Sequence, residues 1–256
     1  MNIESSPASI ALAIAMPVFN EQAGIGDTLL ELDQVFSGHH LRVGLFLQDD
    51  QSTDDTVNMV LALSTRLTMW VNVESNVQNL GHGPTTLTAY QRAVASGAPV
   101  IMQLDSDGQF FVPELIQLYE SIVNGADIAI GVRVGRVDPW FRKAITSLLK
   151  IFLALRYRGR FPDPNTPIRA FSALCLTRML SQIPEQPLVP NIYLTIIAAK
   201  HKLRTDYFDV SHRPRRGSEP TGTMWKSSTK FKSISRLFKF VVRAFAQLWK
   251  FKPTNN

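Results

Sequence analysis

The sequence predicts an α/β domain, a mostly parallel sheet with helices on both faces. Two observations carry this. Short apolar runs at 10–16, 41–47, 67–73, 100–104 and 127–130 alternate with helix-length segments at 25–36, 54–63, 84–95 and 113–123, the alternation that builds a parallel sheet covered on both sides. Polar clusters then stand directly behind the runs: Asn20-Glu21 after the first, Asp49-Asp50 after the second, Asn79 after the third and Asp105-x-Asp107 after the fourth. The carboxyl ends of strands are where such sheets bind ligands.

The first run ends at Pro17 and the second at the Asp49-Asp50 pair. Asp54 can cap the helix after the second run, and Pro113 suits the first turn of the helix after the fourth. Beyond residue 130 the pattern loosens. Residues 141–156 read as a helix, 158–168 as a proline-rich loop and 171–181 as another helix. Pro184, Pro187 and Pro190 then break the chain before a helix over 192–199 and a strand over 203–210. A chain of 256 residues, 45% hydrophobic and 19% charged, can bury a full core.

Charge divides the chain. From Arg213 onward eleven Lys/Arg stand against one acid, a net of +10; the whole chain is +6, which leaves −4 on residues 1–212. The expected organisation is a mildly acidic domain over 1–212 and a basic tail over 213–256 that meets an anionic partner. In the tail, apolar residues recur at 231, 234, 238, 241, 245 and 248, while Lys232, Arg236, Lys239 and Arg243 take other faces and Trp249 lies near the end. A basic amphipathic C-terminal helix of this kind predicts contact with an anionic membrane surface. Packing on the domain or on a second subunit is the plainer alternative. Residues 145–155 suit a second interfacial helix and a core helix equally. Nucleic acid is not the expected partner, because the apolar stripe would be wasted on it. The single cysteine, Cys175, lies in an apolar run and excludes an internal disulfide, which fits a reducing compartment. Residues 1–9 lack the basic-then-apolar pattern of a secretory signal, and no run of 18 apolar residues occurs. These features predict a cytoplasmic protein, peripheral at the cytoplasmic face of the membrane.

Asp105-Ser106-Asp107-Gly108-Gln109 follows an apolar strand and precedes a helix begun by Pro113. Two carboxylates one residue apart on a turn can converge on one hard cation. Gly108 permits a turn tight enough to return the Gln109 amide oxygen to the same ion. Asp105, Asp107 and Gln109 are therefore the candidate metal ligands, and Mg²⁺ or Mn²⁺ the expected cation, since both also bind phosphate oxygens. An aspartyl-phosphate phosphatase would need threonine where Gln109 stands. In Asp49-Asp50-Gln51-Ser52-Thr53-Asp54-Asp55-Thr56, Asp54 and Asp55 read as helix-start acids, whereas Asp49 or Asp50 stands where a carboxylate can accept an N–H from a nucleobase. A phosphorelay receiver would place its acid pair after the first strand, and a dinucleotide-binding domain would place Gly-x-Gly-x-x-Gly there. Pro17-Val18-Phe19-Asn20-Glu21 satisfies neither.

Taken in order, Pro17-Val-Phe-Asn-Glu21, Asp49-Asp50-x-Ser52-Thr53-Asp54-x-Thr56, Asn79-x-Gly81-x-Gly83 and Asp105-x-Asp107-Gly-Gln109 resemble the motifs of family 2 glycosyltransferases. Gly131-Val-Arg133, Arg142-x-x-x-Thr146 and the 163–169 segment extend the resemblance toward the branch of dolichol-phosphate mannose synthase and bactoprenol-phosphate glucosyltransferase. The resemblance spans residues 10–170. It implies a GT-A fold and a set of roles. Pro17, Phe19 and Glu21 would line the nucleoside pocket, with Asp49, and as second choice Asp50, on the base. Asp105, Asp107 and Gln109 would hold metal and diphosphate. Arg133, with Arg142 and Thr146, would receive the phosphate of a polyprenyl-phosphate acceptor. Arg169 and the 213–218 segment, Arg215 within it, would close over the donor's phosphates. Asp105, Asp107 and Arg133 would thus be the catalytic residues. Gln51 departs from the usual glycine, Phe19 from the usual tyrosine, and Pro164-Asn165-Thr166-Pro167 from a glycine-containing stretch.

The implied reaction is an inverting, metal-dependent transfer of sugar from a UDP- or GDP-linked donor to a polyprenyl (dolichyl or undecaprenyl) phosphate. The alternatives are transfer to a saccharide hydroxyl in cell-envelope polysaccharide synthesis, and a non-catalytic nucleotide- or membrane-binding relative. Charge on the departing diphosphate calls for a cation and arginines. A phosphate acceptor is already an anion and needs no base, whereas a hydroxyl acceptor needs a carboxylate, for which Asp163 is the candidate.

Overall fold

The structure, a computed structural model, describes residues 10–135, 139–217 and 230–254, without the side chains of Arg142 and of 230–235. Seven strands form one sheet: β1 (Leu12–Val18), β2 (Val43–Asp49), β3 (Trp70–Ser75), β4 (Val100–Gln103), β5 (Ile128–Val134), β6 (Arg169–Ser172) and β7 (Thr205–Ser211). Their order is β3-β2-β1-β4-β6-β5-β7. β6 runs antiparallel to β4 and β5, and the other pairings are parallel. The helices are α1 (Ile25–Gly38), α2 (Thr56–Ser64), α3 (His82–Ala95), α4 (Ile116–Val123), α5 (Trp140–Tyr157), α6 (Ala173–Leu180), α7 (Pro190–His201) and α8 (Lys230–Lys250). This is the expected α/β architecture of the GT-A type.

A strand buried on both faces reads as a continuous apolar run, and β1 is buried throughout. Leu12, Ile14 and Met16 meet Leu29, Leu32 and Phe36 of α1 and Leu118 of α4. Ala13 and Ala15 share the opposite core with Tyr90 of α3, Leu153 of α5, Leu176 of α6 and Ile196 of α7. Pro17 sits inside this central strand without breaking the sheet. Ala15 O accepts the Leu104 N–H and Val18 O the Asp50 N–H, so odd positions face β4 and even ones β2. Pro17 faces the β4 side beyond Gln103, the last β4 residue, where no ladder bond is required of its nitrogen.

Three elements differ from the sequence reading. β3 begins at Trp70 because the N–H groups of Thr68 and Met69 are taken by the Asp33 carboxylate at 2.9 and 2.8 Å, which ties that segment to α1. Pro113 stands in a 3₁₀ turn, Val112–Leu115, ahead of α4. The helix expected over 171–181 begins only at Ala173. Residues 169–172 are the strand β6, inserted between β4 and β5, and Ser172 then caps α6 by accepting the Cys175 N–H. Four residues are too few to show a period-two pattern.

α8 packs on the domain. Its Ala244 and Leu248, with Phe251 beyond its end, join the core, and Val241 and Phe245 are half-buried. Phe238, 68% exposed, and Trp249, 65% exposed, face outward together with Val242. The single stripe expected through 238, 241, 245 and 248 is thus divided between two faces; 231, 232 and 234 lie outside the described side chains. Among the described residues no helix is long and apolar enough to cross a membrane.

Candidate active site

Strand order switches direction between β1 and β4, so the loops behind them diverge and leave a cleft at their carboxyl ends. The cleft is a cavity of about 750 Å³. One wall carries Glu21, Asp50, Asp105, Asp107 and Arg215 beside Pro17 and Phe19, and it continues past Arg133, Thr146 and Asp163. The same cavity has an apolar wall from Leu149 of α5, Val189 and Ile192, and Val241, Phe245 and Leu248 of α8.

The polar residues of the first two loops mostly hold those loops together. Asn20 donates its N–H to Ser52 Oγ at 2.9 Å and accepts the Thr53 N–H at 2.8 Å; Glu21 donates its N–H to Thr56 Oγ1 at 2.8 Å. Asp54 accepts the Thr56 N–H at 3.1 Å where α2 starts. Asp49 accepts the Ser52 N–H and is not a cleft residue. Asp50 is on the wall, and its carboxylate accepts the N–H groups of Leu80 and Gly81 at 2.7 and 2.9 Å. Gln51, at the position usually glycine, has φ +62°. Its side chain repays that strain by accepting the Asn79 N–H at 3.0 Å and donating to Val77 O at 3.2 Å. Gly83 is required for contact, since a Cβ there would lie 2.0 Å from Pro187 O.

Asp105 and Asp107 stand on the turn behind β4. Gly108 has φ +65°, and a Cβ on it would lie 2.6 Å from Thr28 Oγ1 of α1. The 213–217 segment lies directly over this turn. Arg216 donates its N–H to Asp107 O at 3.0 Å and Arg213 Nε donates to Gly108 O at 2.6 Å. Arg213 and Arg216 both pair with Glu31 of α1, and Arg215 pairs with Glu21. Glu31 carried no signal in the sequence; it becomes an anchor only because α1 passes beneath the turn. Ser218 lies outside the described residues.

Burial pushes the Glu21 carboxyl up to about 7; Arg215 opposes this and Asp107 and Asp105 add to it. Burial and the neighbouring Asp105 push Asp107 up to about 6, again opposed by Arg215. Carboxylates crowded this way are relieved by a cation, so the acid turn fits a divalent metal. Among the described residues no three His, Cys, Asp or Glu side chains form a ready-made cage. Gln109 is not a cleft residue; its N–H goes to Asp107 Oδ1 at 3.2 Å and its carbonyl lies 3.0 Å from His212 Nδ1.

Arg133, from β5, binds Asp163 through both carboxylate oxygens, at 2.7 and 3.0 Å. The Arg142 side chain lies outside the described residues. Arg169 requires correction. It is 1% exposed and absent from the cleft wall, and its three guanidinium nitrogens go to Thr166 O, Pro164 O and Thr195 Oγ1 at 2.7–3.0 Å. As a β6 residue it is drawn into the core, where it braces the 163–168 loop instead of reaching a donor phosphate.

A family model described as Glycosyl transferase family 2 matches residues 13–181. The chain belongs to this family. Relatives include the undecaprenyl-phosphate 4-deoxy-4-formamido-L-arabinose transferase of Serratia proteamaculans, 22% identical over 204 residues, covering 80% of this chain and 60% of that protein. The dolichol-phosphate mannosyltransferase of Pyrococcus furiosus is 27% identical over 168 residues, covering 64% of this chain and 46% of that protein. The chain thus spans about half to three-fifths of the length of these relatives. Two solved structures share the fold. Glucosyl-3-phosphoglycerate synthase from Mycobacterium tuberculosis, in complex with Mn²⁺ and UDP-glucose, has TM-score 0.63 and 18% identity, covering 96% of this chain and 80% of that one. Mannosyl-3-phosphoglycerate synthase from Rubrobacter xylanophilus has TM-score 0.66 and 16% identity, covering 93% and 73%.

Proposed function

We propose that this family 2 chain transfers a sugar, with inversion, from a nucleotide-diphosphate donor to a polyprenyl phosphate at a membrane surface. The observation that carries the reading is that the wall of one cavity holds both the Asp105–Asp107 acid turn and an apolar face made by α5 and α8. A diphosphate suits the first and a hydrocarbon chain the second. The named relatives that act on undecaprenyl and dolichol phosphates support the same choice.

In this reading Asp105 and Asp107 hold Mg²⁺ or Mn²⁺, which supplies positive charge to the departing diphosphate. Arg215, exchanging Glu21 for phosphate oxygens, adds a second cation there. Pro17, Phe19 and Asp50 flank the nucleoside. Arg133 takes the acceptor phosphate on the two-pronged face it now offers Asp163, with Thr146 beside it. An anionic acceptor attacks without a base, and in-line displacement inverts the anomeric carbon. The outward Phe238, Val242 and Trp249 of α8, flanked by exposed Arg236, Lys239, Arg243 and Lys250, make the contact with an anionic leaflet.

The test is a screen of UDP- and GDP-sugars with Mn²⁺, with and without polyprenyl phosphate. Metal-dependent lipid-linked sugar supports the reading. Transfer only to soluble phosphorylated or saccharide acceptors overturns the lipid acceptor and leaves the glycosyl transfer standing.

A further inference from the structure

Behind Asp105 runs a line of buried polar side chains that sugar transfer itself does not use. Gln103, the last residue of β4, donates Nε2–H to Asp105 Oδ1 at 3.1 Å. Asn191, at the start of α7, donates Nδ2–H to Gln103 Oε1 at 3.0 Å. Tyr90 of α3 donates its hydroxyl to Asn191 Oδ1 at 2.9 Å. Gln103 and Tyr90 are fully buried and Asn191 nearly so.

Burying three polar side chains is costly unless each is satisfied, and apolar residues of similar volume would fill the same space. The direction of the line says what it serves. A carboxylate only accepts, so Gln103 turns its amide nitrogen to Asp105 and its oxygen to Asn191, which turns its own oxygen to the Tyr90 hydroxyl. Every donor therefore points toward Asp105, and bonds aligned this way strengthen one another. Gln103 engages Oδ1 and leaves Oδ2 for a ligand. The line also reaches further. Asn191 O accepts the Thr195 hydroxyl at 2.9 Å, Thr195 Oγ1 accepts from Arg169 at 3.0 Å, and Arg169 holds Pro164 O, next to Asp163. One buried polar spine joins the acid turn to the loop whose Asp163 pairs with Arg133.

We propose that Gln103 and Asn191 are positioning residues that hold the Asp105 carboxylate in its metal-binding orientation. The inference rests on Asp105 holding the divalent cation.

The test follows Mn²⁺ binding to the full chain by loss of the free-ion EPR signal, with saturating UDP and, separately, GDP. Gln103→Met keeps the volume and removes the donor to a charged group, so the Mn²⁺ Kd should rise on the order of tenfold, while nucleotide binding without metal stays unchanged. A residue that merely supported the fold would move the unfolding midpoint and leave the Mn²⁺ Kd of the folded protein alone. Wild-type Mn²⁺ affinity in Gln103→Met overturns the inference. If that variant does not fold, Asn191→Ala, at the cleft wall, takes its place under the same criterion. A wild-type chain that binds no Mn²⁺ with either nucleotide removes the metal reading of Asp105 itself, a failure distinct from that of the two positioning residues.

Discussion

The Arg133 guanidinium holds both carboxylate oxygens of Asp163, Nε to Oδ2 at 2.7 Å and Nη2 to Oδ1 at 3.0 Å, on the wall of the cleft that carries the acid turn. The pair occupies both oxygens of Asp163, and a phosphate presents the same pair of oxygens to the same fork. Asp163→Asn should therefore leave kcat within about tenfold of wild type and act mainly on acceptor KM. A loss of about a thousandfold in kcat would make Asp163 a general base and favour a hydroxyl acceptor. Arg133→Lys, which keeps the charge and loses the fork, should raise acceptor KM about tenfold.

The acid turn should carry the chemistry. Asp107→Ala should lower kcat by roughly a hundredfold to a thousandfold, with the far-ultraviolet circular dichroism unchanged. Full activity in that variant would remove the metal assignment.

The raised carboxyls make stability depend on pH in a defined sense. Glu21 moves from 4.5 to about 7 and Asp107 from 3.8 to about 6. The folded protein therefore keeps protons that the unfolded chain has released between these values. Their contribution to stability is complete below about pH 4 and is lost as pH rises through about 6 to 7. Urea unfolding of the metal-free chain should show this loss, and Asp107→Asn should flatten it. Mn²⁺ with nucleotide should restore more stability at about pH 7.5 than at about 5.5, where protons compete for the same oxygens. Equal restoration at both would count against a cation at these acids.

The two faces of α8 should separate under mutation. Leu248, 1% exposed, should cost about 2–5 kcal/mol on truncation to alanine. Phe238→Ala with Arg243→Glu should leave the unfolding midpoint nearly unchanged and reduce binding to vesicles containing anionic lipid. Undiminished vesicle binding would move the membrane contact away from α8.

Arg169 should behave as a brace. Arg169→Met removes the donor to Thr166 O and Thr195 Oγ1 and one of the two donors to Pro164 O, which keeps the Thr195 hydroxyl, and should destabilise by on the order of 3 kcal/mol. Donor affinity of the folded fraction should hold, and a large fall in it alone would return Arg169 to the phosphates.

Much of the fold and part of the site were legible in the residues. The runs behind β1, β2 and β4 were apolar enough to read as buried strands, and the acids at their ends marked the ligand side of the sheet. The zippered loops around Asn20 and Ser52 explain why that motif is polar, a role that spacing alone does not distinguish from ligand contact. β6 escaped notice because four residues paired between two strands leave no periodicity, and Arg169 was misplaced with it.

What the sequence by itself determined was local: strand and helix alternation, the turn at Gly108, the amphipathic character of α8, and the order of motifs that signals family 2. Each element and each motif depends on residues within a few positions of one another, where backbone geometry acts directly, and the order of the motifs is read straight along the chain. What only the tertiary structure decided was pairing at a distance. Arg215 meets Glu21 across 194 positions, Asn191 meets Gln103 across 88, and Arg133 meets Asp163 across 30. The division of α8 into a core face and an outward face is of the same kind. Such contacts exist because the sheet brings separate strand ends to one cleft, and the desolvation of buried charge then selects which side chains must satisfy one another there.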